Sequence, residues 1–171
     1  MAEVQRTRVA ADVDRDVVVF VIGMRINRLW AVHKWIPVFV AMPRMIAELA
    51  RQPELGLLGR PRSFISGRTL LIHQVWNSFE QLDSYARSRD AAHLPAWRAF
   101  NRKIGTDGSV GIYHETYLVG PGRVETLYAN MPPFGLGAAL GTSPAVRGRS
   151  TAPQRLGLAA EGDDAPPVGA A

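Results

Sequence analysis

Asp16 is followed by VVVFVIGMRI, a run of β-branched and other apolar residues without polar alternation. A strand with one wet face alternates, so this run predicts a central strand over 17–27, covered on both sides. Beyond Trp35 the period changes: Ile36, Val40, Met45 and Leu49 recur at roughly helical spacing and predict a helix over 35–52. Pro37 is tolerable in a first turn, whereas Pro43 predicts a kink or a separate turn over 35–42. Leu55–Ser66 and Thr69–Asn77 read as a strand pair that turns through Ser66-Gly67-Arg68. Ser78 followed by Gln81 has the spacing of a capping box, and Phe79, Leu82 and Tyr85/Ala86 give the next helix an apolar face. A second helix is predicted from Leu94 to Lys103, with Pro95 early enough that its missing N–H does no harm. Val110–Val119 reads as a strand, and Arg123–Ala129 is a further candidate.

The order is β-α-β-β-α-α-β(-β). Without the extra helix it is βαββαβ, a ferredoxin-like split unit of the α+β class. Helices cover one face of such a sheet, and the other face must find a partner. On strand 110–119, Val110, Ile112, His114, Thr116 and Leu118 share one face, while Tyr113, Glu115, Tyr117 and Val119 share the other. On strand 69–77, Leu71, His73 and Val75 stand opposite Leu70, Ile72, Gln74 and Trp76. Large groups on both faces predict two sheets packed against each other across a homodimer.

The ends differ from this middle. From Met131 onward small residues, Gly and Pro dominate, with Phe134 the only aromatic, so residues 131–171 are expected to be mostly disordered, at least from Thr142. Residues 1–15 read as a polar leader, and 16–130 as the folded domain. The first sixteen residues hold no apolar h-region, so no signal peptide is expected and a cytoplasmic setting follows. The longest apolar runs, 17–24 and 35–42, are too short for a transmembrane segment. Of 171 residues, 47% are hydrophobic and 20% charged, enough for a real core. The absence of cysteine excludes a disulfide scaffold, thiolate metal sites and a cysteine nucleophile. Net charge is +5, but of 20 basic residues only Lys34 and Lys103 are lysine and no basic run occurs, so nucleic-acid binding is not expected.

Four histidines are the main candidates for chemistry. His93, Trp97 and Asn101 fall at i, i+4 and i+8 on one helix face; with Tyr85 upstream and Arg98 beside them, this helix can present a ligand-binding wall. His93 serves equally well as a satisfied core residue. His73 and His114 lie on strands among apolar neighbours, and they would approach each other if the strands were adjacent and the faces coincided. Either can act as a general base or ligate haem iron, or simply bond a backbone group. Trp76, on the other face from His73, is a further candidate for substrate contact. Glu115 points away from His114, which argues against a His–Glu dyad. His33, in LWAVHKW between Trp30 and Trp35, suits a lid, a dimer edge, a membrane-surface contact or a plain structural loop. No zinc-site spacing, phosphate loop, dinucleotide fingerprint or nucleophile elbow occurs.

The stretch WNSFEQLDSYARSRDAAHLPAWRAFNRKIG, then VGIYHETYLV, then VETLYANMPPFGLG resembles the monooxygenase-like family first catalogued as a domain of unknown function. Its best-known member comes from a fungal terpenoid biosynthesis cluster. The resemblance covers about residues 17–140. It implies the dimeric α/β-barrel superfamily, which holds antibiotic-biosynthesis monooxygenases, haem-degrading enzymes, chlorite dismutases and aldoxime dehydratases. On this basis three readings stand. The first is a small-molecule monooxygenase with an apolar or aromatic, secondary-metabolite-like substrate between sheet and helices. Its base would be His114 or His93, and Asn101, the Trp97 N–H and Arg98 would be donors. The second is a haem protein with one axial His and arginines on the propionates. The third is a non-catalytic dimeric binding module.

Overall fold

The computed structural model describes residues 4–88 and 93–158. The chain forms two compact units, residues 18–117 and the two ends, Met1–Val17 with Leu118–Ala171. Strand β2 (Val17–Ile26) is followed by α1 (Val32–Arg51), the hairpin β3 (Leu57–Ser66) and β4 (Thr69–Trp76), α2 (Phe79–Arg87), α3 (His93–Lys103) and β5 (Val110–Val119). A short strand, β1 (Val9–Ala11), precedes them.

The sheet order is β3-β4-β2-β5. Each helical connection therefore straddles a strand: α1 passes from β2 to β3 across β4, and α2–α3 pass from β4 to β5 across β2. That is the ferredoxin-like α+β arrangement expected from the pattern, with one additional helix. The pairs β2–β4 and β3–β4 are antiparallel, with Val18 opposite Trp76 and Arg25 opposite Thr69. The β3–β4 hairpin closes on Gly67, whose φ of +55° only glycine adopts readily. Gly23 in β2 has a different reason: a Cβ there would meet the Leu70 carbonyl at 2.6 Å and collide with the Tyr113 ring. Only a bare backbone admits that ring.

The helix over 35–52 starts three residues earlier and runs through both prolines, so the expected kink or split at Pro43 does not divide it. Val38, Met42, Met45 and Leu49 keep helical phase across Pro43, and their packing outweighs the missing hydrogen bond. Ser78 caps α2, its Oγ accepting from the Gln81 N–H at 3.2 Å. The capping box is only half formed. The Gln81 side chain donates to the Glu54 carbonyl (3.2 Å) and accepts from Asn77 Nδ2 (2.9 Å) instead. Between sheet and helices, Val18, Leu49, Leu57, Trp76, Leu82 and Tyr85 form one core cluster; Met24, Ile104 and Val110 form another.

The chain ends depart most from expectation. Strand β1 is buried and pairs antiparallel with β6 (Thr142–Pro144), Val9 opposite Pro144. Helices α4 (Leu136–Leu140) and α5 (Ala152–Arg155) flank β6. The expected leader thus contributes β1 to a two-stranded sheet, and the stretch expected to be disordered from Thr142 carries β6 and α5. Arg149 bonds Asp12 (3.2 Å) and the Ala11 carbonyl (3.2 Å); Arg155 Nε donates to Glu125 at 2.8 Å. These partners are more than a hundred residues apart or belong to different turns, which local composition cannot register. Residues 159–171 of the expected tail lie outside the described residues. The candidate strand 123–129 reduces to one isolated bridge, Val9 with Tyr128; a second, Gln5 with Met131, lies just beyond it.

Candidate functional site

The pleat sends Phe20, Ile22 and Met24 of β2, Leu70 and Ile72 of β4, and Ile112, His114 and Thr116 of β5 to the face that the helices cover. Between this floor and the inner sides of α1, α2 and α3 lies a cavity of about 350 Å³. Its walls are apolar, with few polar groups, as ligand pockets are. Val38, Met42 and Met45 line it from α1, Trp97 and Phe100 from α3, and Ile104 from the turn just after α3.

The polar groups are His114, Thr116, Asp83, Lys34 and Lys103. The His114 ring lies 5.7 Å from Phe20, tilted by 41°. Asp83 is paired to Arg87 at 2.8 Å. Lys34 is ion-paired to Asp107, which also accepts from the Ser109 N–H (2.8 Å) and Oγ (2.6 Å). Lys34 first, and then Ser109, hold the Asp107 carboxyl well below the usual carboxylate range. Lys103 has no acidic partner among the described residues and stays available to a ligand. Both lysines of the chain line this cavity. Sequence reasoning did not select them, although two lysines among 20 basic residues were a signal of sorts.

The expected site residues separate into those that reach the cavity and those that do not. His114 and Trp97 line it. The Trp97 ring stacks on Phe100 at 5.7 Å and 12°. Asn101 and Arg98 are exposed and outside the lining, because α3 directs the row of Trp97 and Phe100, continued by Ile104 just past its end, to the cavity rather than Trp97 and Asn101. Both rows have helical spacing; the apolar one is the one that gains from burial. His93 opens α3 and its side chain lies outside the described part of the structure. His73 sits on the opposite sheet face, and β2 separates its strand from that of His114, so the two do not meet. Burial lowers the His73 pKa against an opposing backbone hydrogen bond. Trp76 and Tyr85 are core residues, 1% and 5% exposed, with rings 5.7 Å apart. Trp76 Nε1 donates to Gln74 Oε1 (2.8 Å) and the Tyr85 hydroxyl to Glu48 Oε2 (2.8 Å). Burial, and then Glu48, push the Tyr85 hydroxyl far above its ordinary range. Glu115 accepts from the Tyr117 hydroxyl on the face away from His114, as expected.

Residues 17–136 match the family described as Monooxygenase af470-like. The chain belongs to that family. Monooxygenase af470 of Aspergillus fumigatus is 35% identical over 103 residues, which are 58% of this chain and 35% of the relative. The chain therefore spans about a third of the length of that curated relative. Among solved structures, aldoxime dehydratase OxdRE, crystallised with butyraldoxime, matches 81% of this chain and 44% of its own with a TM-score of 0.62 at 17% identity. That likeness is one of fold. SnoaB, a cofactor-independent oxygenase from Streptomyces nogalater, matches 61% of this chain and 93% of its own, with a TM-score of 0.43 at 18% identity.

Among the described residues, His114 is a candidate axial ligand for haem, no arginine lines the cavity to meet propionates, and Lys34 is ion-paired to Asp107. Among the described residues no three His, Asp or Glu side chains cluster to hold a metal ion.

Proposed function

We propose that this protein is a cytoplasmic small-molecule monooxygenase whose apolar or aromatic substrate occupies the cavity between sheet and helices, without a bound cofactor. The observation that carries the reading is His114, an imidazole on the floor of a mainly apolar cavity with Lys103 on its lining. The name of the Aspergillus relative supports the reaction class. His114 removes a proton from an activated C–H or O–H of the substrate. The resulting carbanion or phenolate passes an electron to dioxygen, and recombination at a carbon that still bears hydrogen gives a peroxide anion, which takes the proton back from His114; the hydroperoxide then loses water, its O–O bond breaking as that carbon gives up its remaining hydrogen, to leave one oxygen as a carbonyl. Lys103 and the Trp97 N–H would meet the negative charge that develops on the substrate oxygen. The reading includes a homodimer formed through the sheet face that none of α1–α3 covers, where Phe64 is 47% exposed and Val19, Val21 and Leu71 remain partly open.

Oxygen uptake over a panel of phenolic and polycyclic substrates tests the chemistry. His114→Ala should lower turnover by about a hundredfold or more while the circular dichroism spectrum is unchanged. Lys103→Gln should lower it less. Full turnover in the His114→Ala variant removes His114 from the mechanism, and no uptake across the panel overturns the oxygenase reading.

A further inference from the structure

α1 presents apolar residues on two sides. Its inner side borders the cavity through Val38, Met42 and Met45. Val32, Ile36, Phe39 and Val40 fall on the other side, and each is 40–44% exposed. At about 100° per residue these four span one continuous arc, roughly opposite Lys34 and Met45. Leu29 and Trp30 extend it beyond the helix start, Trp30 being 78% exposed. The turn that carries them is built rather than loose: the Ala31 N–H donates to the Arg28 carbonyl (3.1 Å) and Trp35 Nε1 to the Leu29 carbonyl (3.0 Å). A helix apolar on both sides needs cover on both.

The charges around the stripe say what covers it. Residues 17–47 contain no Asp or Glu. Arg28, Arg44 and Arg51 are exposed beside the stripe and have no acidic partner among the described residues; His33 lies on the same edge. The one acid of α1, Glu48, is occupied by the Tyr85 hydroxyl on the inner side. An apolar stripe with an exposed tryptophan and a cationic, acid-free border matches the headgroup region of an anionic bilayer: tryptophan at the interface, aliphatic residues just below it, arginines on phosphates. No helix among the described residues is long and apolar enough to cross a membrane.

We infer that the α1 stripe and the Leu29–Trp30 turn dock this protein on an anionic phospholipid surface. The inference stands apart from the chemistry at His114, because vesicle binding is read without turnover. Co-sedimentation of the full chain with phosphatidylcholine vesicles, with and without phosphatidylserine, tests it. Binding should require phosphatidylserine and weaken as salt rises. Replacing Trp30→Ser with Phe39→Ser should lower the bound fraction about tenfold or more. Replacing Arg28→Gln with Arg44→Gln should abolish the preference for phosphatidylserine. These positions are exposed, and urea midpoints verify that each variant is folded. No binding by the wild-type chain, or binding that either pair leaves unchanged, overturns the inference. So does self-association that the Trp30/Phe39 pair abolishes in the absence of vesicle binding, which would assign the stripe to a second copy.

Discussion

His73 and His114 belong to one sheet and face opposite ways, and the difference decides what each can do. His114 opens into a cavity. His73 is half-buried opposite Val21 and Arg62, and desolvation lowers its affinity for a proton. Below its ordinary value of 6.5 the unfolded chain takes up a proton that the folded chain resists, so the unfolded state binds more protons there. Stability is therefore expected to fall as pH drops from about 6.5 through the lowered folded value. Urea midpoints followed from about pH 7.5 down to 5 should decline, and His73→Gln should remove that part of the slope. An identical slope in both proteins would assign the pH dependence elsewhere. Alternation along the strands was enough to place His73 and His114 on faces with apolar neighbours. It could not tell which face the helices would cover, since both were apolar.

At the scale of elements, local signals carried far. The strand over 110–119 has its predicted ends, and the strand pair closes at the predicted glycine. The cap of α2 is another such signal, and Ser78→Ala should cost about 1 kcal/mol of stability, read as a lower urea midpoint, because the Gln81 N–H loses its acceptor. The other half of the capping box was not legible, because Glu54 and Asn77 compete for the Gln81 side chain from outside the helix. The inward face of α3 was equally ambiguous. Trp97–Asn101 and Trp97–Phe100–Ile104 both follow helical spacing, and only the apolar space beneath the helix selects the second. Asn101 and Arg98 drop out of the cavity for that reason, and Lys103 enters it.

For the whole molecule, the ferredoxin-like order leaves one sheet face without a helix, and the proposed homodimer uses it. Sedimentation velocity should then give a concentration-dependent shift to twice the chain mass. Phe64→Glu, which puts a charge on that face beside Leu71, should move the equilibrium toward monomer by about tenfold or more. A wild-type chain that stays monomeric at every concentration would end this part of the reading. The chain ends, taken by themselves, show what a composition-based view misses. Residues 131–158 are poor in large apolar groups, yet Tyr128 and Gly137 lock together, the Gly137 N–H donating to the Tyr128 hydroxyl at 3.1 Å. A Cβ on Gly137 would come within 2.7 Å of that ring, so glycine there is a packing requirement rather than a mark of looseness.

The amino-acid sequence alone determined the order of elements, the split βαββαβ unit and the family, because hydrophobic period, caps and turns act over a few residues. It also singled out His114 and Trp97. Tertiary structure decided the rest: which sheet face became the cavity floor, which row of α3 turned inward, that Lys34 and Lys103 border the cavity, and that the two ends fold onto each other. Each of those depends on contacts between residues distant along the chain, and the free energy of such contacts exists only once the chain has brought them together.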